Sequence, residues 1–340
     1  VSSTYKDLQR VTGLSLATIS KFYNGGNVRT ENREALERAA RDLDFRPNEL
    51  ARSLRTRRSG TVGVLLPELD NEFHAAIVAG IEHGLKDSGT RVLVVTTQGT
   101  SAGVTAAVNL LSDRRVDGMV VVPGEHDGEA VGAAAARGVP LVLVDRLVTG
   151  SAADAVVLDN AGATARVVAE LTGAGHRDIA LLGGPSSIWT MAQRAQGFRR
   201  AVRAAGIALA RDRVVRAPLT VESGRSAMHE LLGRSPRPTA VCTANHELTV
   251  GALIALGEAG IDLPRDLSFV GFDGQTLARV TTPRLTTFVQ PAHEIARAAA
   301  DLLRTRLSPD GAGAPPRRVV LAGELVRGAS VGAPPADHAR

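Results

Sequence analysis

The sequence predicts an α/β protein: a small, basic, all-helical head in front of a larger body of doubly wound parallel sheets. Three observations predict it. The excess positive charge sits at one end of the chain. The first sixty residues carry helix-period patterning with caps and glycine stops. Everything after residue 60 alternates short apolar runs with Ala-rich amphipathic stretches. With 340 residues, 44% of them hydrophobic and 22% charged, the chain holds apolar material for more than one core.

The net charge of +5 is localised. Residues 1–60 hold 12 Lys and Arg against 7 Asp and Glu, whereas residues 61–340 hold 28 of each sign. A basic module on a neutral body is the electrostatic footprint of nucleic-acid binding. No apolar run reaches the length of a membrane span and the first residues contain no signal-peptide core, so no membrane partner is expected. A single cysteine, Cys242, excludes an internal disulfide and fits a reducing, cytoplasmic setting.

Within the head, Thr4 and Asp7 form a capping-box pair that starts a helix running to about Val11, with Tyr5, Leu8 and Val11 turned inward. Gly13 ends it. Ser15 caps a second helix through Tyr23, with Ile19 and Phe22 inward, closed by Asn24-Gly25-Gly26. Two short helices joined by a glycine turn, with basic residues, make a helix-turn-helix. Thr30 caps a third helix whose stripe is Leu36, Ala39, Ala40 and Leu43. Pro47 stops it, and Asn48 can cap a further helix too short to be stable alone.

The stretches Lys6-Asp7-Leu8, Thr12 to Lys21, Asn24-Gly25, Phe45-Arg46-Pro47-Asn48, Ala51-Arg52-Ser53-Leu54-Arg55 and Thr61 to Pro67 resemble the LacI/GalR repressor family. The resemblance extends with gaps to about residue 330. It implies a helix-turn-helix domain over 1–46, a hinge helix and linker over 47–59, and a two-lobed, periplasmic-binding-protein-like sensor over 60–330. Lobe one would comprise about 60–158 and 287–318, and lobe two about 159–286 and 319–330. It further implies a homodimer bound to palindromic operator DNA. Leu16, Ala17 and Lys21 would face base edges in the major groove, with Thr4, Tyr5, Ser15, Thr18, Ser20 and Asn24 around them. Ala51, Arg52, Leu54 and Arg55 would lie in the minor groove, Leu54 as an apolar wedge. Gln9 and Thr12 stand where the family has small alanines. Lys21 replaces an arginine and cannot make its two-pronged contact to guanine. Taken singly, Leu16 and Leu54 read better as core leucines, and Lys21 reads as a solvated charge; their place in the whole pattern favours the DNA-facing assignment.

In the body, strands are expected at Val62–Leu66, Val92–Thr96, Gly118–Val122, Leu141–Val144, Val156–Leu158, Ile179–Leu182, Ala240–Thr243 and Phe269–Gly271, with helices between them. Ligands of such sheets bind at the carboxyl ends of strands. Matching the family pattern places effector contacts at Asn71, Phe73, Asp145, Arg194, Asn245 and Asp273, a donor and acceptor set suited to a sugar or nucleoside. The same positions also suit helix caps and structural ion pairs. Leu219 replaces a stacking aromatic of the family, and His246 and Gly274 each replace an aspartate. Trp189, the only tryptophan, is expected in a loop leading to Arg194 at the cleft mouth.

Two other classes compete. Gly99-Thr100-Ser101-Ala102-Gly103 fits the serine-hydrolase elbow, with Asp273 and His293 as nominal partners. A sugar receptor without a DNA role would share the lobes but not the basic head. The three lysines, Lys6, Lys21 and Lys86, follow no glycine, which excludes a phosphate-binding Walker loop. The eight histidines form no H-E-x-x-H and one cysteine cannot build a zinc site, so neither metal nor cofactor is expected. Residues 331–340 contain two prolines and no leucine heptads, and are expected as a disordered tail.

Overall fold

Three helices build the head: α1 (Tyr5–Thr12), α2 (Leu16–Tyr23) and α3 (Thr30–Asp42). The computed structural model describes residues 3–23, 26–45, 58–124, 127–311 and 313–335. It divides at Gly60 into two compact units, Val1–Gly60 and Thr61–Arg340. The hinge segment, with Ala51, Arg52, Leu54 and Arg55, lies outside the described residues, as does Asn24.

The predicted capping box is present: Asp7 Oδ2 accepts from the Thr4 backbone N–H at 2.9 Å and from Thr4 Oγ1 at 2.8 Å. Gly13 ends α1 at φ 69°, where a side chain would be strained. Leu8, Ile19, Leu36, Ala39 and Phe45 form the core, edged by Tyr5, Phe22, Tyr23, Ala40 and Leu43. Val11, expected inward, is instead 53% exposed. A two-turn helix packed against two others buries one narrow stripe, and Val11 falls beside it. Thr30 is the first residue of α3, one place after its cap position at Arg29.

The second unit contains two six-stranded sheets. The first has the order β11-β5-β4-β3-β1-β2, from β1 (Thr61–Leu66), β2 (Arg91–Thr96), β3 (Gly118–Val121), β4 (Leu141–Val144), β5 (Asp154–Leu158) and β11 (Arg318–Leu321). The second has the order β12-β10-β9-β8-β6-β7, from β6 (Ile179–Gly183), β7 (Val214–Arg216), β8 (Ala240–Thr243), β9 (Ser268–Phe272), β10 (Thr286–Val289) and β12 (Glu324–Val326). All pairs are parallel except β10 with β12. Helices cover both faces. The first sheet carries α4 (Glu72–Leu85), α5 (Ser101–Asp113), α6 (Gly128–Ala136) and α12 (Ala292–Leu307). The second carries α7 (Asn160–Gly173), α8 (Trp189–Ala204), α9 (Val221–Leu232), α10 (His246–Glu258) and α11 (Gln275–Val280). Among the described residues no helix is long and apolar enough to cross a membrane.

Sheet membership moves two expected boundaries. Because β10 pairs with β9, residues 287–289 belong to the second lobe. Because β11 pairs with β5, residues 319–321 belong to the first. The chain therefore crosses between lobes at Asp159, at 290–291 and at 322–323. The expected disordered tail is also partly corrected. His176, fully buried, bonds Thr239 Oγ1 at 2.9 Å and the Gly332 carbonyl at 3.0 Å, and the Gly332 N–H donates to Ser268 Oγ. Residues 331–335 are docked on lobe two by these contacts; 336–340 lie outside the described residues.

Candidate functional site

In the head, Ser15 Oγ accepts from the Thr18 N–H at 3.1 Å and meets Thr18 Oγ1 at 2.9 Å, fixing the start of α2. The buried side of α2 is Ile19, while Leu16, Ala17 and Lys21 are exposed, with Leu16 41% accessible. A leucine exposed at a helix start, outside the core, is free to meet another surface. Thr18 and Ser20 are half-buried. Tyr5 is half-buried too, stacked on Tyr23 at 5.6 Å between ring centroids and 5.6 Å from Phe45, so its ring serves the core.

In the body, Arg194 is the centre of a buried network at the strand ends. It lies on α8 and is 2% exposed. Its Nε donates to Asn160 Oδ1 at 2.7 Å, one terminal nitrogen to the Ala244 carbonyl at 2.5 Å, and the other to Gln290 Oε1 at 3.2 Å. The guanidinium also sits over the Phe272 ring, its carbon 3.8 Å from the ring centroid. Burial pulls its pKa down, while Asp145 and Asp273 oppose that shift. Asn160 follows the first crossing and Gln290 stands at the second, so one arginine is tied to two of the three connections between lobes.

Asp273 completes this relay. Its two carboxylate oxygens accept from the Gln290 backbone N–H at 3.2 Å and from Gln290 Nε2 at 2.8 Å. Burial pushes its carboxyl up to about 6, with Arg194 and Gln290 acting in the other direction. Asp145, 6% exposed, pairs with Arg146 at 3.3 Å. Asn71 and Asn245 both cap helices, accepting from Phe73 N and Leu248 N. Asn71 does more, because its Nδ2 donates across the lobes to Glu247 Oε1 at 2.7 Å. Asn245 Nδ2 reaches the other oxygen of the same carboxylate. A second bond between lobes runs from Thr276 Oγ1 to Glu72 Oε1 at 2.9 Å.

A cleft of about 640 Å3 opens along the crossings, within the size range of small-molecule sites. Its walls include Asn71, Phe73, His246, Asp273, Gly274, Gln290 and Gly323. Of the expected effector contacts, the structure brings Asn71, Phe73 and Asp273 to this cleft, and sets Arg194 behind Gln290. Trp189 is not in a loop. It is the first residue of α8, partly buried, with the Arg318 guanidinium of lobe one 5.7 Å from its ring centroid. Leu219 packs against Gly184 and Met191, where a Cβ on Gly184 would come within 2.6 Å of it. Neither Trp189 nor Leu219 lines the cleft.

Asn160, Gln290 and Glu247 were not singled out from the sequence. Asn160 obeys the strand-end rule and could have been found by it. Gln290 follows a threonine-rich strand that apolar-run reading passes over. Ser101, the nominal hydrolase nucleophile, is the exposed first residue of α5, where Thr100 Oγ1 accepts from Gly103 N. Among the described residues its side chain meets neither histidine nor carboxylate. Cys242 is buried, and that burial pushes its thiol up to about 12, so it stays unreactive.

Residues 168–331 match the model of a periplasmic binding protein-like domain. The chain is 32% identical to the ribose operon repressor of Haemophilus influenzae, over 90% of this chain and 92% of that protein. It is 30% identical to the HTH-type transcriptional repressor PurR of Serratia proteamaculans, over 90% of each. Among solved structures it resembles the lac repressor dimer bound to operator and the anti-inducer ONPF. That likeness has a TM-score of 0.86 and 26% identity, and covers 98% of this chain and all of that one.

Proposed function

Since this chain belongs to the LacI/GalR family of transcription regulators, we propose that it represses transcription by binding a two-fold symmetric operator as a homodimer. A small polar effector held between the lobes sets its affinity for that operator. Relatives named as repressors across nine-tenths of the chain support this reading. The observation that carries it is α2: a helix anchored by Ile19 that leaves Leu16, Ala17 and Lys21 exposed at its outer face. An exposed helix of this kind fits the major groove, which presents a distinct pattern for each base pair. Leu54 and its neighbours are proposed to enter the minor groove.

On the sensing side, an effector bonded at Asp273 would compete with Gln290 for that carboxylate, and Gln290 is shared with Arg194. Ligand binding at the cleft thereby bears on two lobe crossings at once. The effector class that fits several oriented donors and acceptors is a sugar or nucleoside. A melting-temperature screen of both classes tests this, because a ligand of the folded state alone raises the transition. The expected outcome is one compound class that both stabilises the body and shifts operator affinity. Stabilisation with operator affinity unmoved would contradict the coupling.

A further inference from the structure

Besides Glu72 and Arg318, five further carboxylates and two further guanidiniums gather where the lobes meet. Glu68 and Asp70 follow β1, Asp145 follows β4, Glu247 lies in the first turn of α10 and Asp273 follows β9; Arg146 and Arg194 oppose them. The groups sense one another. Glu247 and Asp70 act on Glu68, Asp145 and Glu247 on His74, and Asp145 and Asp273 on Arg194. Both guanidiniums are already engaged, Arg146 with Asp145 and the Pro123 carbonyl, Arg194 with Asn160, Ala244 and Gln290. Neither Glu68 nor Glu247 forms an ion pair with lysine or arginine among the described residues. In a chain of net charge +5, this seam carries excess negative charge.

A second, independent feature points the same way. His74 on α4 is 4% exposed, and its Nδ1 has no hydrogen-bond partner among the described residues. Burial disfavours its charged form. Glu68 Oε1 stands 4.0 Å from Nδ1, too far for a direct bond. With its proton on Nε2, the neutral imidazole turns an unsatisfied Nδ1 acceptor toward a carboxylate, and a buried polar atom left so is costly. A cationic N–H group placed between them can donate to both at about 2.7–2.9 Å.

We propose that the effector carries a protonated amine, received between Glu68, the Nδ1 of His74 and the Glu247 carboxylate. The ligand class is an amine-bearing polyhydroxy compound such as an amino sugar or amino nucleoside. This narrows the effector reading above and rests on it. Glu247 already holds Asn71 of lobe one and Asn245 of lobe two, so an ammonium there braces both lobes. A phosphorylated ligand meets repulsion from the same carboxylates.

The test uses the full chain and two matched trios: glucosamine, glucose and glucose 6-phosphate; and 5′-amino-5′-deoxyadenosine, adenosine and adenosine 5′-monophosphate. Melting temperature is titrated against each. The ammonium member should stabilise more than its neutral twin in at least one trio. That preference should fall about tenfold or more in Glu68→Gln or Glu247→Gln, as expected for losing a charge-assisted bond. Equal response of ammonium and neutral members in both trios overturns the proposal. So does a phosphate member that binds best, or a preference that survives both variants. Operator binding by the same preparations without ligand reports on the repressor reading separately. Intact operator binding with no ammonium preference would sink only this inference.

Discussion

Asp145 and Asp273 hold matching places in the two lobes. Each is the first residue after the third strand of its sheet, counted from the β11 or β12 edge, and each has a left-handed backbone, φ 66° and 60°. Non-glycine residues avoid this region, and aspartate and asparagine tolerate it best. Two strained carboxylates at equivalent strand ends, both acting on Arg194, mark the seam as a place where geometry is held for binding.

That strain is testable. Asp145→Asn keeps a residue suited to positive φ, whereas Asp145→Val does not. The valine variant should be less stable than the asparagine variant by about 1–2 kcal/mol. Urea unfolding of the two measures the difference, and equal stabilities would mean the backbone relaxes at no cost.

Asp273 predicts a pH dependence with a definite sign. Its folded pKa, about 6, lies above the ordinary carboxylate value of 3.8, so the folded state holds this proton more tightly than the unfolded state. Its contribution to stability is full below pH 3.8 and is lost as pH rises through about 6. Relative to Asp273→Asn, the wild type should lose melting temperature between pH 4 and pH 6.5. Parallel pH curves for the two proteins would show that the carboxyl is not raised.

Arg194→Met removes the donor to Asn160, Ala244 and Gln290 while keeping much of the side-chain volume. It leaves buried polar groups unpaired, so the body should lose about 3–5 kcal/mol of stability. The effector-induced rise in melting temperature should vanish with it. Gln290→Leu supplies a milder check, expected to blunt the effector response while the body stays folded at 25 °C. A normal response in the Gln290 variant would remove the relay from the account.

Much of this architecture is legible in the sequence, and the failures share a physical cause. The capping box at Thr4 and Asp7 depends on local chemistry, and the eight expected strands on apolar runs, all but the half-buried β2 lying deep in the sheets. β10 escapes because it reads Thr-Thr-Phe-Val. Its threonines are buried and satisfied, Thr286 Oγ1 by the Gly328 N–H and Thr287 Oγ1 by the Asp273 carbonyl. Gln290 went unseen along with the strand that positions it. Asn160 meets Arg194 34 residues away, and Glu247 meets Asn71 176 residues away, pairings that no local pattern displays. The docking of residues 331–335 likewise depends on His176, whose two ring nitrogens join segments distant in the chain.

Trp189 gives a reporter of lobe movement, because its ring and the Arg318 guanidinium belong to different lobes. Effector binding that alters the seam should change its emission, and Arg318→Gln should alter the ligand-free spectrum. An effector that raises the melting temperature with the emission unchanged would mean the lobes do not move against each other at this edge.

The central claim is that the basic head reads a symmetric operator. The most direct measurement is selection of bound duplexes from random DNA by the full chain, followed by titration of the winning site at several salt concentrations. The account predicts enrichment of a two-fold symmetric sequence and an affinity that falls steeply as salt rises, with Lys21→Ala weakening it and reducing the salt slope by about one. Failure to enrich any palindrome, or an affinity indifferent to both salt and Lys21, would contradict it.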